Sequence, residues 1–129
     1  MRLLLETSVL IDALRLRHRR RELLAELVRA GHTLATTALN VAEVYAGMRP
    51  DEAQRTEVLL GALDCYDLTG ASGRRAGALK QQWARKGRTL ALADMIIAAM
   101  ALEQGCTLMT DNRKDFPMEE LPKFDLREM

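Results

Sequence analysis

Leu3-Leu4-Leu5-Glu6-Thr7-Ser8-Val9-Leu10-Ile11-Asp12 is the stretch that decides the architecture. The apolar run Arg2–Leu5 reads as a buried strand, and it stops abruptly at three polar residues. Thr7 or Ser8 then supplies a side-chain oxygen to cap a helix over Val9–Leu14. A strand that passes at once into a helix is half of a βα unit, and the pattern recurs. His32–Thr36 reads as a strand ahead of a helix over Ala38–Met48. Asp64–Leu68 is a weaker strand ahead of a helix over Ser72–Lys86, which Gly87 ends. Cys106–Thr110 is a strand that follows a helix over Leu92–Gln104, and Phe124–Leu126 is a short last strand. Two further helices complete the set. One spans His18–Arg29, with Leu23, Leu24, Leu27 and Val28 on one face and Gly31 at its C-cap. The other starts at Pro50 and runs to Leu63. In the Leu92–Gln104 helix, Met95, Ile96, Ala99, Met100 and Leu102 are the expected core residues. Strands alternating with helices predict a three-layer α/β/α fold with a mainly parallel central sheet.

A length of 129 residues implies one domain, 1–129, able to bury roughly two-thirds of its unfolded surface. Apolar residues at 48% and charged residues at 29% exclude a disordered or fibrous chain. Aromatics at 4% leave the core to Leu, Ala, Val, Ile and Met. The formal charge of +1 speaks against nucleic-acid binding driven by bulk charge and leaves a local basic patch as the alternative. The start reaches Glu6 too early for the apolar stretch of a signal peptide. The longest uncharged apolar run, Met95–Leu102, falls far short of the ~20 residues a membrane span needs. Cys65 and Cys106 are therefore expected as reduced core thiols in a cytoplasmic protein. With no CxxC or Cys/His cluster, a structural zinc site is not expected.

In an open parallel sheet, ligands bind beyond the carboxyl ends of the strands. Past the first strand stand Glu6 and Thr7; past the Cys106–Thr110 strand stand Asp111, Asn112 and Asp115. Glu43 lies in a small, apolar helical stretch, Ala38–Gly47, and Asp94 in the first turn of the most apolar helix. A carboxylate in such a setting is costly unless it is paired or bound to a cation. Oxygen-only ligands suit Mg²⁺ or Mn²⁺ rather than zinc, and such a centre activates water and offsets charge on a phosphate. Each acid also has a plainer reading as a helix cap, a dipole partner or a solvated residue. Arg15, Arg17, Arg19, Arg20 and Arg21, with His18 among them, form either a phosphate-contacting patch or a helix–helix junction. Arg85, Lys86 and Arg88 form a second basic group shortly before Asp94. Trp83 is expected in the core or an interface.

Four segments in this order resemble the PIN-domain ribonucleases, and within them the VapC-type toxins of toxin–antitoxin pairs. Leu3–Asp12 resembles the opening strand and acid-Thr-Ser/Asn-Val-Leu-Ile. Thr37–Gly47 resembles the segment of the second acid, Leu92–Ala99 that of the metal-binding aspartate, and Thr110-Asp111-Asn112-Arg113-Lys114-Asp115-Phe116 the Thr-x-Asn-x-x-Asp-Phe ending. The resemblance implies a PIN-like fold and an Mg²⁺- or Mn²⁺-dependent endoribonuclease, with Glu6, Glu43, Asp94 and Asp115 as catalytic metal ligands. Thr7, Thr110 and Asn112 would support them, and Asp111 is the alternative to Asp115. It further implies an RNA substrate, a cognate antitoxin and a homodimer. The chain departs from the family at Glu6, where aspartate is usual. The extra methylene implies attenuated activity, and with it an alternative reading as a weakly active module that binds RNA or a partner.

Overall fold

The structure is a computed structural model and describes residues 1–126. In chain order it contains β1 (Arg2–Leu5), α1 (Thr7–Leu14), α2 (Arg20–Arg29), β2 (Thr33–Thr37) and α3 (Ala38–Ala46). A 3-10 turn at Pro50–Glu52 leads into α4 (Ala53–Gly61), β3 (Asp64–Tyr66), α5 (Gly70–Arg85), α6 (Leu92–Glu103) and β4 (Thr107–Met109), and a second 3-10 turn spans Arg113–Asp115. The four strands form one sheet in the order β3-β2-β1-β4, and every pair is parallel.

Alternation along β1 builds the three layers. Leu3 and Leu5 point to one face, where they pack with Leu10, Leu14, Leu23, Leu24 and Leu27 of α1 and α2. Leu4 points to the other and packs with Leu79 of α5 and with Met95, Ile97 and Ala98 of α6. All three β1 leucines are fully buried, as a central strand covered on both faces requires. β1 is joined in sequence to β2 on one side and paired with β4 on the other, so the topological switch point lies between β1 and β4. The crevice at their carboxyl ends is where such a sheet binds ligands.

Several expectations shift. Phe124–Leu126 is not a strand: the chain touches the sheet through a single parallel bridge, Leu108 to Lys123. Glu6, rather than Thr7 or Ser8, is the N-cap position of α1, and its side chain makes no cap bond there. α2 begins at Arg20 instead of His18, because Leu16, His18 and Arg19 all adopt left-handed φ of 53–55°. That conformation costs non-glycine residues of order 1–3 kcal/mol each and persists only where neighbours over-determine it. Here Arg15 Nε holds Glu52 Oε2 at 3.1 Å, His18 Nδ1 lies 2.9 Å from Asp12 Oδ2, and Arg20 Nη2 holds Asp111 Oδ1 at 2.7 Å. Within the arginine run Arg15 and buried Arg20 are thus tied to Glu52 and Asp111, whereas Arg17, Arg19 and Arg21 are exposed. Val28 is exposed, off the apolar face of α2. α6 is buried almost all round, with Ile97, Ala98 and Ala101 in the core and Ile96 and Leu102 only half-buried. Cys65 is exposed on the edge strand β3, so of the two free cysteines only Cys106 is a core thiol.

Leu4 joins the sheet to α5 and α6, which sets up a direct test of the core. Leu4→Ala is expected to cost about 2–5 kcal/mol in chemical denaturation, against less than about 0.5 kcal/mol for Val28→Ala on the exposed face of α2. Equal losses would contradict this layering.

Candidate active site

The carboxyl ends of β1, β2 and β4 deliver their next residues to one edge of the sheet, and two hydrogen-bond relays organise them. The first centres on Glu6, which is buried at the end of β1. Its Oε1 accepts from the Ser8 hydroxyl and from the Thr110 hydroxyl, each at 2.7 Å. Both hydroxyl oxygens in turn accept backbone N–H groups of the segment after β4, Ser8 from Asp111 at 3.3 Å and Thr110 from Asn112 at 3.0 Å. The Thr110–Glu6 bond spans the β1/β4 crevice. The second relay serves Glu43 on α3, whose Oε1 accepts from the Thr7 hydroxyl at 2.7 Å. Asn40 Nδ2 donates to Thr7 Oγ1 at 3.0 Å, and Thr37 Oγ1 donates to Asn40 Oδ1 at 2.7 Å.

Asp94, in the first turn of α6, is the electrostatic focus. Partial burial raises its pKa first, and the charges of Asp115, Glu6 and Glu43 add to the effect, so its carboxyl is pushed up to about 6. Every charge acting on it is negative. The other three acids singled out in the sequence, carried by the end of β1, α3 and the turn after β4, thus lie within electrostatic reach of Asp94. Asp111 does not join them, because its carboxylate is taken by Arg20. Thr7 and Thr110 orient carboxylates, while Asn112 contributes its backbone N–H rather than its side chain.

With this geometry in view, the comparisons with known proteins are decisive. The PIN domain family profile matches residues 3–120. The chain belongs to the PIN-domain family. It is 31% identical over 115 residues to Ribonuclease VapC19 of Mycobacterium tuberculosis, covering 89% of this chain and 92% of that one. Among solved structures, VapBC2 from Rickettsia felis bound to a promoter DNA fragment superposes with a TM-score of 0.81 at 23% identity, over 97% of this chain and 100% of the other. A toxin–antitoxin complex from Klebsiella pneumoniae gives 0.74 at 28% identity, over 88% and 89%.

The PIN fold thus accounts for the parallel sheet and for acids gathered at its carboxyl edge. Three partners in this PIN site escaped sequence reasoning. Ser8 looked like a helix cap, Thr37 fell between the expected strand His32–Thr36 and the helix from Ala38, and Asn40 looked like one polar residue in an apolar stretch. A buried asparagine beside small apolar residues was the signal available, since such an amide must find partners. The donor set of the four acids is oxygen only, which fits a hard divalent cation. Among the described residues no three carboxyl, thiol or imidazole groups stand as a closed ligand set; the acids meet within electrostatic reach.

The sign of the Asp94 shift fixes a pH dependence. Its carboxyl binds a proton more tightly in the folded chain than in the unfolded one, where the ordinary value is 3.8. The cation-free chain should therefore lose stability as pH rises from about 4 through about 6. Asp94→Asn is expected to raise stability in chelator at pH 7 by on the order of 1 kcal/mol, a figure reduced for the solvent around a partly buried carboxylate. The gain should vanish at pH near 4. Thermal melting of both chains across this range checks it, and a loss at pH 7 would contradict the assignment.

Proposed function

We propose that this PIN domain is the endoribonuclease toxin of a toxin–antitoxin pair, hydrolysing RNA phosphodiesters with Mg²⁺ or Mn²⁺ bound. The observation that carries the reading is that Asp115, Glu6 and Glu43 all lie within electrostatic reach of a partly buried Asp94. Relatives named as ribonucleases and a solved toxin–antitoxin complex above 25% identity support it. In this reading Glu6, Glu43, Asp94 and Asp115 hold the metal, and the single domain 1–129 carries the whole activity. When bound there, the cation would supply an activated water and offset charge on the phosphate.

The chain's own groups do the remaining work. Ser8 and Thr110 fix Glu6, and Thr7 fixes Glu43, so the carboxylates are set before RNA arrives. The two short hydroxyl bonds to Glu6 favour a ligand seated at glutamate length, and so a working centre over a weakly active binding module. Asp115 is favoured over Asp111 as the fourth acid, because Arg20 occupies Asp111. Arg88 donates to the carbonyl of Lys114, next to Asp115, at 2.8 Å. Lys86 lies over the Trp83 ring, 4.4 Å from its centroid, with Arg88 at 5.9 Å. These cations, with exposed Arg85, are the groups proposed to contact RNA phosphates at the mouth of the site.

For the antitoxin, an apolar groove of about 620 Å³ lies between α1, α2 and α4, floored by Leu24, Leu34, Leu59 and Leu63. Leu16, Val28 and Val58 are exposed along it, at 66%, 55% and 70%, and Arg21 and Arg55 stand among its lining residues. An apolar segment carrying acidic side chains suits that surface. Assembly as a homodimer and residence in the cytoplasm rest on the family resemblance. Among the described residues no helix is long and apolar enough to cross a membrane.

One experiment separates catalysis from partner binding. Asp94→Asn is expected to abolish Mg²⁺- and Mn²⁺-dependent RNA cleavage while still co-purifying with the antitoxin encoded beside it. Val58→Glu is expected to do the reverse, cleaving RNA but losing the antitoxin. Undiminished cleavage by Asp94→Asn would overturn the assignment of the centre.

A further inference from the structure

The relay behind Glu43 has a direction that the charge on Glu43 dictates. Thr37 and Asn40 are fully buried, so their polar atoms depend on one another. A carboxylate only accepts, and a threonine hydroxyl has one proton to give. With Thr7 Oγ1 at 2.7 Å from Glu43 Oε1, that proton is committed to Glu43. The Thr7 oxygen must then face a donor, which is the Asn40 amide nitrogen at 3.0 Å. Asn40 therefore turns its Oδ1 to Thr37, which donates at 2.7 Å and whose oxygen accepts the Asn40 backbone N–H at 3.2 Å. The chain of single-proton choices starts at the cap of α3, which is fixed to the end of β2, and finishes on one oxygen of Glu43. No group among the described residues donates to the other oxygen, Oε2.

We propose that Asn40 is a positioning residue of the metal centre, whose oriented amide keeps the Thr7 hydroxyl a donor to Glu43 Oε1 and so leaves Oε2 as the ligating oxygen. The inference rests on the metal reading of the preceding subsection and adds a residue that does not itself touch the cation. Asn40 acts only through Thr7, so the two should be energetically inseparable.

The test is Mn²⁺ binding to the full chain by isothermal titration calorimetry, with melting of the metal-free chain in parallel. Asn40→Leu, which removes both amide groups at similar volume, is expected to weaken Mn²⁺ binding about 10- to 100-fold, the usual loss when a group that orients a metal ligand is removed. Thr7→Val should lose as much, and Thr7→Ser, which keeps the hydroxyl, should bind as the unmodified chain does. In the Thr7→Val background, Asn40→Leu should cost nothing further. Full addition of the two losses, or unchanged binding by a cooperatively melting Asn40→Leu chain, overturns the inference and spares the metal reading. Should Asn40→Leu fail to melt cooperatively, Thr7→Val against Thr7→Ser decides: weaker binding by Thr7→Val alone supports the relay, and equal affinities overturn it. An unmodified chain that takes up no Mn²⁺ overturns the metal reading and the inference together.

Discussion

The placing of a partly desolvated Asp94 within reach of three further carboxylates at the carboxyl edge of the sheet is the constraint on which the rest of this molecule turns. Negative charges gathered in a partly desolvated crevice oppose folding, and the clearest sign of it is an Asp94 carboxyl pushed up to about 6. No arginine or lysine of the described residues is among the groups that shift Asp94; the surrounding side chains instead hold Glu6 and Glu43 in place. Glu6 is pinned by two hydroxyls that are themselves pinned by backbone N–H groups, and Glu43 is held by a buried relay of three side chains. Such an arrangement favours fixed carboxylates over local stability, as the proposed cation site requires.

The fold makes that concentration feasible. Because every strand pair is parallel, all carboxyl ends lie at one edge, and acids far apart in sequence share it without long loops. The fully buried leucines of β1 anchor both helical layers, so the strand that carries Glu6 has little freedom to yield to repulsion. Cations are kept to the periphery: Arg20 is spent on Asp111, Arg15 on Glu52, and Arg88 on a backbone carbonyl.

How far this was legible in the sequence varies with the physics involved. The βα alternation and the cores of β1 and α6 could be read because buried strands and helices leave a strong apolar period. Glu43 and Asp94 could be singled out because a charge in an apolar stretch is conspicuous, whereas Glu6 and Asp115 stand in polar stretches and were marked by their place past a strand end and by the family pattern. The start of α2 could not, since three left-handed residues without a glycine give no local signal, and the segment is held by the long-range pairs Arg15–Glu52 and Arg20–Asp111 on either side and by the His18–Asp12 contact. Phe124–Leu126 was misread because an aromatic and a leucine suggest a strand, whereas the sheet accepts only the Lys123 bridge. The choice between Asp111 and Asp115 depends on Arg20, ninety-one residues away from Asp111. Asn40 and Ser8 stayed hidden because hydrogen-bond direction emerges only once β1, α3 and β4 are side by side.

The central question is whether Asp94 and the carboxylates within reach of it act as one electrostatic unit that a divalent cation discharges. The direct measurement is the titration of the Asp94 side-chain carboxyl by carbon-13 NMR, first in chelator and then with saturating Mg²⁺. The midpoint expected without the cation is near 6, from partial burial first and the charges of Asp115, Glu6 and Glu43 second. The midpoint expected with the cation bound is below the ordinary aspartate range, since an adjacent positive charge favours the ionised form. An ordinary aspartate midpoint in chelator, or an elevated one that Mg²⁺ leaves unmoved, would contradict the single electrostatic unit.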